Sequence, residues 1–186
     1  MIAGILLAAG ASTRFGGDKL LHPLADGTPM GLSGARKLLG KVDCGIAVVR
    51  PSDRALAGLL EAEGWLVARC ATAADGMGAS LACGVNSAPH VRGWLIALAD
   101  MPFIRPETIG AVAGLLRAGA PLAAPRYQGR RGHPVGFSRA FLGDLTRLDG
   151  DRGASAVLAA HASKLQYVDC DDPGIVTDID RRSDLA

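Results

Sequence analysis

Short apolar runs alternate along the chain with segments suited to helix, from the first residues almost to the last. Ile2–Ala8 opens as an apolar run and leads into a glycine-rich loop. Gly45–Arg50, Trp65–Cys70 and Gly93–Ala99 are further strand candidates, and the last is near-continuously apolar, as a strand covered on both faces is. Pro29–Val42 reads as a helix weakened by Gly31, Gly34 and Gly40. Ser52-Asp53 offers an N-cap pair for a helix through Glu63. Asp75–Val85 reads as a loop entering a helix, and Pro106–Ala118 as a helix with Pro at its start and Gly119 just past its end. Pro121–Pro125, Pro134–Phe137 and Leu165–Val168 are shorter strands, with helices expected over Arg139–Leu148 and Gly153–Ala162. Strand–helix alternation with apolar strands predicts an α/β layered fold around a mostly parallel sheet. No repeat or linker divides the chain, so residues 1–186 are expected to form a single domain.

Composition narrows the partners. At 49% hydrophobic and 20% charged the chain is an ordinary folded protein, and with 4% aromatics its core must come from Ala, Leu, Val and Ile. A net charge of +2 implies neither nucleic-acid nor membrane binding. Cys44, Cys70, Cys83 and Cys170 show no CxxC spacing and read as buried small hydrophobes. The apolar start has no basic segment ahead of it and is too short to span a bilayer, so a cytoplasmic location is expected.

In an open α/β sheet ligands bind outside the carboxyl ends of the strands, which selects the loops to inspect. The first runs Leu7-Ala8-Ala9-Gly10-Ala11-Ser12-Thr13-Arg14-Phe15-Gly16-Gly17-Asp18-Lys19. Its glycines and small residues let backbone N–H groups approach an anion, while Arg14 and Lys19 bring positive charge, a combination suited to a polyphosphate. It is neither a GxGxxG dinucleotide loop nor a Walker A loop, since Lys19 follows Asp18 and no hydroxyl follows it. Asp100, in Leu98-Ala99-Asp100-Met101-Pro102, ends a buried strand, where a carboxylate is costly unless paired or holding a metal. It lies too far ahead of the Pro106 helix for a simple cap. Gly129 to Gly136 places Arg130, Arg131 and His133 between glycines, which reads equally as a flexible anion-binding loop or as a basic hairpin turn.

The first loop resembles the signature of the molybdopterin nucleotidyltransferases, and more closely that of the molybdenum cofactor cytidylyltransferases. Leu7, Ala8, Ala9, Gly10, Ser12, Arg14, Gly16 and Lys19 fall in register with it, while Phe15 replaces the usual methionine. The resemblance implies a three-layer, Rossmann-like nucleotidyltransferase fold. It implies transfer of CMP from CTP to the phosphate of molybdopterin cofactor, with Mg²⁺ as cofactor and Asp100 and Asp178 as its carboxylates. Arg14, Lys19 and Asp100 would be the catalytic group. Leu7 to Gly10, Ser12, Gly76 and Ser80 would hold the nucleotide, with Ala9 favouring cytosine over guanine. Arg131, His133 and Pro134 would border the acceptor, and contact with a recipient molybdoenzyme or its chaperone would follow. Asp149-Gly150-Asp151-Arg152-Gly153 also matches and reads mainly as a turn with a helix cap. Asp178-Ile179-Asp180 matches the family's acidic tail motif, but Arg181-Arg182-Ser183 replaces Thr-Pro-Glu, and Asp180 and Asp184 read as readily as a solvated tail. A different phosphorylated acceptor, GTP as donor, or a non-catalytic nucleotide-binding domain are the alternatives.

Overall fold

The computed structural model describes residues 1–151 and 153–185. Strands β1 (Ile2–Leu7), β2 (Cys44–Val49), β3 (Leu66–Arg69) and β4 (Gly93–Leu98) form the parallel half of one sheet, in the order β3-β2-β1-β4. The other half is built from β5 (Leu122–Tyr127), β6 (Arg130–Arg131), β7 (Val135–Ser138) and β8 (Leu165–Asp169). There β7 lies antiparallel between β4 and β5, and β8 runs parallel to β5.

Side chains of β1 alternate between two separate cores, with Ile2 and Leu6 facing one and Ala3 and Ile5 the other. Helices α1 (Met30–Leu39), α2 (Arg54–Ala62) and α4 (Pro106–Arg117) cover the first face. Helices α3 (Met77–Asn86), α5 (Leu142–Thr146) and α6 (Ser155–Ala160) cover the second. The three-layer α/β expectation therefore holds. Among the described residues no helix is long and apolar enough to cross a membrane. All four cysteines are free thiols, Cys70 buried and the others partly so.

Several local expectations are corrected. Asp53 precedes α2 but does not cap it, because its carboxylate accepts from Arg50 Nε at 2.9 Å. An ion pair on offer one turn back outcompetes neutral backbone N–H groups. Arg139–Leu148 is a 3₁₀ turn followed by the five-residue α5. At residues 129–131 the hairpin alternative is the one realised: Tyr127 pairs with Arg130, and Gln128 and Gly129 both take positive φ (47° and 78°), the tight turn that matches strand twist. The turn at residues 149–151 does not lead into a side-chain cap of α6, whose first turn follows Ala154 without one. It packs instead on the start of α3, where Gly78 N donates to Gly150 O at 2.8 Å. Arg152 of that motif lies outside the described residues.

Candidate functional site

Parallel strands bring their carboxyl ends to one edge. Ala8 N donates to Val48 O and Ala99 N to Leu7 O, so the ends of β2, β1 and β4 are stitched side by side. A cavity of about 410 Å³ opens above them. Leu7, Ala8, Ala9, Gly10 and Ser12 form its floor, Gly76, Met77 and Ser80 one wall, and Lys19, Leu98 and Asp100 the other. Ser80 is buried, and its hydroxyl donates back to Gly76 O within the first turn of α3. The glycines of that turn are steric necessities: a Cβ on Gly78 would stand 2.4 Å from Asp149 O. Their absence of side chains lets the 149–151 turn close on α3 and places Asp151 on the cavity rim.

The loop from Gly10 to Lys19 crosses the opening. Ser12 takes left-handed φ (52°), unusual for serine, as do Gly16 (78°) and Gly17 (158°). Phe15 anchors the loop, buried with its ring edge-on to His22. Lys19 ends it and is 7% exposed. Its ammonium donates to Asp100 Oδ2 at 2.7 Å and to Ile179 O at 2.7 Å, and lies 3.9 Å from Asp180 Oδ1. Arg14 is exposed and does not line the cavity; its Nη1 donates to Asp180 Oδ2 at 2.6 Å. Burying a lysine is costly unless it is paired, and here a carboxylate and a carbonyl compensate it.

The tail reaches the site by lying along the end of β4. Ile179 is fully buried and its N donates to Asp100 O at 3.0 Å. Asp178 is exposed, while Asp180 turns to the loop cations. Asp184, read as a solvated tail residue, accepts from the N–H groups of Asp180 and Arg181, and those bonds hold its carboxyl below the usual range.

The acceptor candidates Arg131, His133 and Pro134 do not line the cavity. Arg131 is exposed on β6. His133 follows, with its Nδ1 buried and without a hydrogen-bond partner among the described residues. Burial lowers its pKa, helped by the charge of Arg131, while the Ile96 carbonyl that the ring donates toward and the nearby charges of Asp100 and Asp178 oppose the shift. Pro134, joined to His133 by a cis bond, is buried beside Leu6, Leu98 and Met101, so its ring serves the core.

Sequence reasoning missed three residues here. Asp180 was legible in principle, because i and i+2 of an extended segment share a side, so Asp178 and Asp180 both oppose buried Ile179. Arg50, at the end of β2, and Asp151 also line the cavity, and neither carries a linear signal. The cap of α4 was equally hidden. Asp172, 2% exposed, accepts from Arg105 N (2.9 Å), Thr108 Oγ1 (2.7 Å) and Gly174 N (3.1 Å).

Known proteins resemble this chain over most of its length. A Paenarthrobacter nicotinovorans protein named nicotine blue oxidoreductase is 28% identical over 96% of this chain and 92% of its own. Purine catabolism protein PucB of Bacillus subtilis is 28% identical over 96% and 91%. The crystal structure of Rv0371c from Mycobacterium tuberculosis matches with TM-score 0.84 and 28% identity over 98% of this chain and 94% of that one. A manganese complex of Rv0371c matches at 0.75 and 26%, over 91% and 88%. Residues 4–165, spanning the loop, the cavity and Asp100, match the model of the MobA-like NTP transferase domain, and the chain belongs to that family.

Proposed function

We propose that the chain transfers CMP from CTP to the phosphate of a molybdopterin-type cofactor and releases pyrophosphate. The observation that carries this reading is the meeting of Lys19, Asp100 and the glycine-rich loop at one end of an apolar-walled cavity. The cavity takes base and ribose between the Leu7–Gly10 floor and the Gly76–Ser80 wall. Buried Ala9 (7% exposed) presents its methyl where a glycine would leave room, which favours the smaller pyrimidine. Loop amides, Lys19 and Arg14 neutralise the triphosphate and the departing pyrophosphate. Arg131 is the exposed cation left to meet the acceptor phosphate, with His133 behind it and within electrostatic reach of Asp100 and Asp178.

The residues fit Mg²⁺. Asp100, on the cavity wall, and exposed Asp178 are the two carboxylates that would hold it. Magnesium takes one or two carboxylates and leaves its other positions to phosphate and water. The manganese complex of Rv0371c supports a divalent ion in this family. When bound, such an ion supplies charge neutralisation at the α-phosphate. The chain itself orients the reactants and excludes water. A phosphate monoester, with a second pKa of about 6, is largely ionised at neutral pH, so the reaction needs no general base from the protein.

Thermal shift with CTP, GTP, ATP and UTP, with and without Mg²⁺, tests the donor, since a bound ligand stabilises by mass action. Pyrophosphate release from CTP in the presence of molybdopterin cofactor tests the reaction. Stabilisation by CTP–Mg²⁺ and release on adding the cofactor are expected; release with another NTP alone would refute the donor. One observation favours a second reading: a relative matching nearly the whole chain is named an oxidoreductase. That reading puts a redox dinucleotide in the cavity, and saturable NADH or flavin binding with no pyrophosphate release from any NTP would establish it.

A further inference from the structure

We infer that Asp180 is a displaceable stand-in for phosphate, holding Arg14 and Lys19 until a triphosphate takes them over. The inference rests on reading the first loop as a triphosphate site. One carboxylate spans both cations, with Oδ2 2.6 Å from Arg14 Nη1 and Oδ1 3.9 Å from Lys19 Nζ. Two anionic oxygens bridging an arginine fork and an ammonium form the pattern that phosphate oxygens make.

The placement is built by the fold, not by chain proximity, since Arg14 and Asp180 are 166 residues apart. Buried Ile179 pins the neighbouring backbone to the end of β4. The Asp184 carboxylate fastens the other side by accepting from Asp180 N at 2.9 Å and Arg181 N at 2.7 Å. A second tie joins the same segment to the same loop: the Arg182 guanidinium lies 5.4 Å over the Phe15 ring.

The two halves of the cation network differ in cost of opening. The Lys19 and Asp100 side chains are 8% and 27% exposed, whereas those of Arg14 and Asp180 are 71% and 40% exposed. Exposed pairs are cheap to break, so the Asp180 contacts yield first and present Arg14 to an incoming anion. Until they yield, Asp180 competes with the triphosphate, and apparent affinity is the intrinsic affinity multiplied by the fraction of protein in which the pair is open. An exposed pair worth roughly 0.2–1 kcal/mol corresponds to about a two- to fivefold effect.

Calorimetric titration of the full chain in EDTA, with tripolyphosphate, CTP and cytidine as probes, tests this. Asp180→Asn is expected to bind tripolyphosphate and CTP about two- to fivefold tighter than the natural protein, with cytidine binding unchanged. Asp180→Glu, which restores the carboxylate, is expected to return affinity toward the starting value. A fold defect weakens binding, so it cannot mimic a gain. Equal or weaker tripolyphosphate binding by Asp180→Asn overturns the exchange and leaves the triphosphate site standing. If neither protein binds tripolyphosphate or any NTP, the triphosphate reading fails and this inference with it.

Discussion

The Lys19–Asp100 pair makes a prediction that does not depend on the substrate. Lys19→Met keeps most of the stem volume and removes the ammonium. It leaves Ile179 O without its donor and Asp100, about one quarter exposed, without its partner. Breaking a fully buried pair costs about 3–5 kcal/mol, and a charge-assisted hydrogen bond contributes about 1.5–3. Water reaches Asp100 in part, so the lower end applies, and Lys19→Met should cost about 2–3 kcal/mol. Asp100→Asn keeps a carbonyl acceptor but leaves the buried ammonium short of negative charge, which should cost about 1–2 kcal/mol. With both changes made, each stranded charge is gone, so the double variant should be more stable than the sum by about 1–2 kcal/mol. Urea unfolding of the four proteins at pH 7, with unchanged m-values, measures the coupling. A coupling under about 0.5 kcal/mol, the range of independent sites, would show that this ion pair does not hold the loop to β4.

Other predictions follow from single contacts. Asp172→Ala strands two donors at the start of α4, Arg105 N and Thr108 Oγ1, and Gly174 N in its own turn; a loss of about 2–3 kcal/mol, or about 4–12 °C in Tm for a chain of this size, is expected by calorimetry, and a shift under about 2 °C would contradict the cap. Ala9→Gly should move the CTP/GTP preference toward GTP by about tenfold or more, read from kcat/KM with each nucleotide, and an unchanged ratio would remove Ala9 from base reading. Burial, with Cys70 beside it, pushes the Cys83 thiol from 9.0 up to about 11. Its thiolate fraction at pH 8 is then about a hundredfold below that of a free thiol, so native-state alkylation by iodoacetamide should be correspondingly slow, and rapid labelling would refute the buried pairing. Because the folded pKa is raised, this thiol's contribution to stability is complete below about pH 9 and is lost as pH rises toward about 11.

Much of the fold was legible because apolar runs covered on both faces leave a local record. The runs read as β1 to β4 are strands in the structure, and Pro106 and Gly119 frame α4. Element ends were less legible where two partners compete for one side chain, as when Asp53 turns to Arg50 instead of α2. Within the site, Lys19 and Asp100 stood out as charges beside apolar runs. Their partnership did not, because they are 81 residues apart and each has other charges nearer along the chain.

The sequence by itself determined a strand–loop–helix alternation, an anion-suited loop after the first strand and a carboxylate at the end of the fourth, since periodicity, glycine content and residue type are local properties. Tertiary structure alone decided which charge meets which. It turned Asp180 from a solvated tail residue into the partner of Arg14, and supplied the cap of α4 from Asp172. It also put Arg50 and Asp151 on the cavity and set Pro134 into the core. The reason is physical: a side-chain ion pair or hydrogen bond acts over about 3 Å in space, so its energy depends on where the fold brings two residues and leaves no periodic trace along the chain.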